Sequence, residues 1–158
     1  MTIILENIRS AWNVGSIFRT CDALGADLVL VGYTPCPTYK NLKLINKTAI
    51  GAENMVQWTH FDHSSEALEI YNSGLHIAIE ISDTSQDILK YLQTFQTPQG
   101  DQEIYLWFGN EIHGVSELVQ ERSTACLHLP MNGMKESLNV ANCVCTIGYL
   151  FAFATALS

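Results

Sequence analysis

Short apolar runs alternate along the chain with stretches in which apolar residues recur every three or four positions. Thr2–Leu5 reads as a strand. Asn13 predicts a helix N-cap, because Val14, Ile17, Phe18, Cys21 and Leu24 follow it at helical spacing and Gly25 closes the run. Leu28–Val31 predicts a buried strand, and residues 33–50, with Pro35, Pro37, two tyrosines and three lysines, an irregular stretch. Val56–Phe61 has strand character. Ser64–Asn72 reads as a helix stopped by Gly74, and Leu75–Ile81 as another strand. Ile88, Leu89, Leu92 and Phe95 predict a second amphipathic helix, ended by Pro98-Gln99-Gly100. Ile104–Phe108 predicts a strand, residues near Val115–Arg122 a short helix, Cys126–Leu129 the last strand and the C-terminal residues a long helix.

This order predicts one α/β domain over residues 1–158, with a mostly parallel sheet flanked by helices and no linker, repeat or low-complexity tract. Such sheets bind ligands beyond the carboxyl ends of their strands. Three loops fit: Ser82–Ser85, Gly109–Gly114 and Met131–Ser137.

The last helix changes the picture of the surface. No charged residue falls between Ser137 and Ser158, and Val144–Leu157 is nearly all apolar. A membrane tail anchor and a helix buried between the sheet and a second subunit both fit that pattern. Asn139, Asn142 and Thr146, and the lack of a basic anchor beyond the run, favour burial. The start, Met-Thr-Ile-Ile-Leu-Glu, has no basic region and does not read as a signal peptide. Cys21, Cys36, Cys126, Cys143 and Cys145 are odd in number and form no Cys-x-x-Cys pair, so reduced thiols in a cytoplasmic protein are expected.

Charge then raises a conflict. Apolar residues are 47% of the chain, which excludes disorder, and charged residues only 15%. The net charge of −8 argues against a polyanionic partner. Yet residues 1–50 hold five of the eight bases (Arg9, Arg19, Lys40, Lys43 and Lys47) and only three acids. No acid falls between residues 28 and 52, where Tyr33 and Tyr39 interleave with lysines. That pattern suits unpaired nucleic acid, although a solvated lysine loop would look the same.

Candidate chemistry is concentrated in three places. Arg19 lies opposite the apolar stripe of its helix, as a solvated residue or an anion-binding fork. Gly109-Asn110-Glu111-Ile112-His113-Gly114 follows a dense strand, as a polar turn or a carboxylate site for a cationic ligand. It lacks the glycine spacing of a dinucleotide fingerprint and a P-loop lysine. Lys135-Glu136-Ser137-Leu138-Asn139 opens the last helix, with Ser137 as N-cap and Asn139 as an amide in need of partners. His60, His63, His76, His113 and His128 form no metal-ligand set, and no metal is expected. No Gly-x-Ser-x-Gly elbow is present.

Three stretches in this order resemble the motifs of the SpoU (TrmH-like) branch of the SPOUT methyltransferases: Glu6-Asn7 through Asn13–Thr20, Leu106–Ser116 and Leu129–Val140. The resemblance covers essentially the whole chain, with no RNA-binding extension before or after it. It implies S-adenosylmethionine-dependent methylation of a ribose 2′-hydroxyl in tRNA or rRNA, tRNA being favoured. It also implies a C-terminal trefoil knot that holds the cofactor, against the general rule that folds are unknotted, and a homodimer through the knot and terminal helix. Carried over by position, Arg19, Glu111, Ser137 and Asn139 would be catalytic. Ile81, Gly109, Ile112, Met131, Ser137 and Leu138 would contact the cofactor. Asn13, Arg9, Arg19, Lys40, Lys43 and Lys47 would face RNA. A non-catalytic RNA- or cofactor-binding domain, and a small-molecule methyltransferase, are the competing expectations.

Overall fold

A computed structural model describes residues 1–96 and 102–156. Its seven strands are β1 (Thr2–Glu6), β2 (Asp27–Val31), β3 (Trp58–Phe61), β4 (Leu75–Ile79), β5 (Gln86–Asp87), β6 (Ile104–Phe108) and β7 (Ala125–His128). They form one sheet in the order β3-β2-β1-β6-β4-β7-β5, and every pairing is parallel. The helices are α1 (Ala11–Leu24), α2 (Leu42–Ala49), α3 (Ser64–Ile70), α4 (Ile88–Thr94), α5 (Glu117–Arg122) and α6 (Val140–Ala156), with a 3₁₀ turn at Ala52–Asn54. Pro98-Gln99-Gly100, expected to stop α4, lies outside the described residues.

Central strands are apolar on both faces because helices cover both. Ile3, Leu5, Leu28, Leu30, Leu106 and Phe108 point into one core, shared with α1, α2, α4 and α6. Ile4, Val29, Val31, Ala78 and Trp107 point into the other, beneath α3 and α5. The parallel α/β architecture expected from the element order is therefore present.

Four local expectations need correction. The N-cap of α1 is Ser10, whose hydroxyl accepts from the Asn13 N–H at 3.3 Å, so the helix begins before Asn13 and the Asn13 side chain is released for other work. Residues 42–49, expected to be irregular, form α2; only Ile45 and Ala49 are buried there, too few to write a helical stripe. Ser137 does not cap α6. Asn139 stands one residue before the helix, and its Oδ1 accepts from the Ala141 N–H at 2.9 Å. Asn139 is exposed, so no buried amide has to be accommodated.

The approach of α1 to α2 depends on Gly15. A Cβ there would overlap the Ile45 carbonyl and the Thr48 hydroxyl. The Thr48 hydroxyl donates to the Trp12 carbonyl at 2.8 Å and so ties the two helices together.

Candidate functional site

β6, β4 and β7 are neighbours in the sheet, so the loops leaving their carboxyl ends converge. Between them lies a cavity of about 640 Å³, within the ~300–1,000 Å³ range of cofactor-sized sites. Every residue expected to contact a cofactor lines it: Ile81, Gly109, Ile112, Met131, Ser137 and Leu138. So do Glu111 and Asn139.

The Gly109–Gly114 loop is held from within by Asn110, which is 6% exposed. Its Oδ1 accepts from the Ile112 and His113 N–H groups at 2.8 and 2.9 Å. Its Nδ2 donates to the Asn7 carbonyl at 2.8 Å and to the Tyr33 hydroxyl at 2.7 Å. Gly114 closes the loop at φ 69°, a conformation that L side chains avoid, and a Cβ there would overlap the Glu80 carboxylate. Glu80 accepts from the Ile81 N–H at 2.9 Å and the Val115 N–H at 2.7 Å, which locks the β4 loop to the β6 loop.

With the loop fixed, Glu111 faces α1. It accepts from the Arg9 N–H at 3.1 Å and from Asn13 Nδ2 at 3.2 Å. Asn13 Oδ1 in turn accepts from Asn139 Nδ2 at 3.2 Å. One hydrogen-bonded chain thus joins segments 126 residues apart in sequence. His128, also on the cavity wall, has Nδ1 2.9 Å from the Ser85 hydroxyl. Cys143 contributes a neutral thiol, because burial pushes it up to about 11.

Arg19 is elsewhere. It lies six residues after Asn13, about 9 Å along α1 and about 120° around it. It borders a separate groove of about 460 Å³ with Lys47, Ile50, Cys145 and Tyr149. Arg9, Lys40, Lys43 and Lys47 are exposed. The Lys47 ammonium lies 5.8 Å from the centre of the Trp12 ring, in cation–π range.

Glu80, Asn110 and Glu6 were not singled out by sequence reasoning. Glu6 ends β1 almost fully buried and accepts from the Ser64 hydroxyl, the Ser116 N–H at 2.8 Å and the Ser116 hydroxyl at 2.7 Å. An acid directly after a buried strand, at the sheet end where ligands bind, is the signal that could have found Glu6 and Glu80.

The cavity suits a ligand with an apolar body and a positive centre. Ile79, Ile81, Phe108, Leu129, Met131 and Leu138 supply apolar wall, and Glu80, Glu111 and Glu136 supply carboxylates. Among the described residues there is no group of three or more His, Cys, Asp or Glu that could hold a metal, and no helix long and apolar enough to cross a membrane.

Comparison with known proteins gives the same direction. The chain is 29% identical over 143 residues to the tRNA (guanosine(18)-2′-O)-methyltransferase of Thermus thermophilus, covering 89% of this chain and 68% of that protein. It is 27% identical to the 23S rRNA (guanosine-2′-O-)-methyltransferase of Pseudomonas putida, covering 89% of this chain and 54% of the relative. The chain spans little more than half the length of several of the curated relatives it matches. In fold it superposes on the SpoU methyltransferase AviRb of Streptomyces viridochromogenes, solved with AdoMet, at a TM-score of 0.83 and 20% identity, over 100% of this chain and 61% of that one. A family model matches residues 1–149, and the chain belongs to the SpoU rRNA methylase family.

Proposed function

We propose that this chain is an S-adenosylmethionine-dependent RNA methyltransferase acting on a ribose 2′-hydroxyl, with tRNA favoured over rRNA. The observation that carries the reading is the Glu111–Asn13–Asn139 chain, in which Asn13 bridges two side chains on the wall of a cofactor-sized cavity. The cavity's donor set fits the cofactor: apolar wall for an adenine and carboxylates for a sulfonium and an ammonium.

When bound, S-adenosylmethionine supplies an electrophilic methyl group. The protein's part is placement. Ile81, Gly109, Ile112, Met131, Ser137 and Leu138 hold the donor, and Glu111, Asn13 and Asn139 fix the loop and helix ends around it. The Arg19 guanidinium is a hydrogen-bond donor with no acceptor atom, so it is unsuited to the role of base. It therefore serves as an electrostatic and positioning group that binds the target phosphate and stabilises the developing 2′-oxyanion, while the ribose proton passes to solvent. Arg9, Lys40, Lys43 and Lys47 extend that contact along the RNA backbone.

Arg19 faces a groove apart from the cavity, which supports a site completed between two subunits: the Arg19 of one beside the cavity of the other. Trp12, Tyr149 and Phe153 are exposed on α1 and α6 and supply an apolar surface for such a homodimer. Leu129, Met131 and Glu136–Asn139 line the cavity before the chain returns in α6 against α1 and β6, and this return is the segment that a trefoil knot would use. Five free cysteines support a cytoplasmic location.

The direct test is nucleoside mass spectrometry of total tRNA and rRNA from cells with and without the protein, paired with labelled methyl transfer in vitro. Loss of one 2′-O-methylated nucleoside is the expected result. Cofactor binding with no transfer to any RNA would identify a binding domain instead. Arg19→Ala should keep cofactor binding and lose methyl transfer by at least 10²-fold; near-normal transfer would remove Arg19 from the mechanism.

A further inference from the structure

Tyr33 has no place in the mechanism above, yet it is built into the site. It stands two residues after β2, its N–H donates to Asn7 Oδ1 at 3.3 Å, and its hydroxyl accepts from Asn110 Nδ2 at 2.7 Å. Both partners belong to the framework that holds the Gly109–Gly114 loop, since Asn110 also donates to the Asn7 carbonyl. The ring is therefore tethered at both ends, yet it remains 60% exposed. A large aromatic residue in the open, held by its polar tip, exposes a π-face at little cost in conformational entropy. The connection between β2 and β3 that carries Tyr33 matches RNA in charge: Lys40 and Lys43 are exposed there, Tyr39 is fully exposed, and no acid occurs from residue 28 to residue 52.

We infer that Tyr33 is a stacking platform for an unpaired base of the RNA substrate, placed beside the Glu111 loop so that the stacked base sets which ribose reaches the cavity. The inference rests on the RNA methyltransferase reading. Its chemistry is general, because every base has a π-face and stacking on an aromatic side chain strengthens binding without reading sequence. Asn110 links the platform to the cavity, since the amide that holds the Tyr33 hydroxyl also orders the loop carrying Glu111.

The experiment compares Tyr33→Phe with Tyr33→Leu. Deacylated total tRNA is the probe for binding and for methyl transfer, and S-adenosylhomocysteine is the probe for the cavity by calorimetry. Both variants remove the hydroxyl tether; only Leu removes the π-face. Tyr33→Phe should bind tRNA within about threefold of the wild type. Tyr33→Leu should weaken binding about tenfold or more, with S-adenosylhomocysteine affinity unchanged between the two variants. The slope of log affinity against log salt should match the wild type in Tyr33→Leu and fall by about one in Lys43→Ala. Equal tRNA affinity for the Phe and Leu variants would overturn the platform and leave Tyr33 a loop tether. Wild-type protein that neither binds nor methylates tRNA or rRNA would instead overturn the RNA reading on which it rests.

Discussion

At the scale of single residues, two carboxylates and one core histidine make hydrogen bonds that single substitutions can test. Glu6 accepts three hydrogen bonds, from Ser64 and from two atoms of Ser116, while almost fully buried. An amide in its place turns an N–H₂ toward donors. Glu6→Gln should therefore lose about 1–3 kcal/mol of stability, read as a lower midpoint in thermal melts. Glu111→Gln keeps one acceptor for two donors, Arg9 N–H and Asn13 Nδ2, so the helix α1 side of the site loosens. Methyl transfer should fall at least tenfold while the melting temperature stays near that of the wild type. His76 sits in the core with Nδ1 accepting from Trp107 Nε1 at 2.9 Å and Nε2 2.8 Å from the Tyr71 carbonyl. Burial holds its pKa below the ordinary 6.5, and the nearby Arg122 charge adds to that, while the bond to Tyr71 opposes it. The unfolded chain binds a proton on this group at higher pH than the folded chain does. Its contribution to stability is thus present above 6.5 and is lost as pH falls toward the depressed folded value. His76→Gln, which offers both an acceptor and a donor but does not titrate, should flatten the decline in melting temperature between pH 7.5 and 5.5.

Elements show where the sequence was informative and where it was not. The stripe Val14, Ile17, Phe18, Cys21 predicted α1 because all four residues are buried against one core. Helix α2 left no such trace, since eight residues with two buried positions cannot establish a period, and Pro35 and Pro37 just before it signal a loop. Helix starts were displaced because Ser10 and Asn13, or Ser137 and Asn139, are both competent caps. The structure uses Ser10, which leaves the Asn13 side chain for Glu111, and Asn139, whose Oδ1 caps α6 while its Nδ2 bonds Asn13. The cavity residues were legible because they fall in loops right after dense apolar strands. The bonds that Asn110, Glu80 and Glu6 make were not, because their partners are brought close only by the sheet order. The close approach of α1 and α2 makes a prediction of its own. Gly15→Val would push against the Ile45 carbonyl and Thr48, at a cost of about 1–3 kcal/mol, and should lower the melting temperature by several degrees.

For the whole molecule, net charge and local charge separate. Residues 51–158 carry three bases against thirteen acids, while the bases expected to face RNA occupy the first fifty residues. Binding should therefore be weak and steeply salt-dependent. The proposed homodimer would double the basic surface, and the exposed rings of Tyr149 and Phe153, 6.2 Å apart on α6, would supply its apolar seam. Size-exclusion chromatography with light scattering should report twice the 17.6 kDa chain mass. Tyr149→Glu with Phe153→Glu should yield monomers that bind S-adenosylhomocysteine but do not transfer methyl. Active monomers would show that each chain carries a whole site.

The hydrogen bond between Asn13 and Asn139 also sets a timetable. A ribosome adds about 5–20 residues per second, so the 126 residues between them take about 6–25 s to synthesise. Glu111 follows Asn13 by 98 residues, so through most of that interval Asn13 has neither of its side-chain partners. The cavity wall is complete only once the chain has been made through Cys143, so its two halves are joined last.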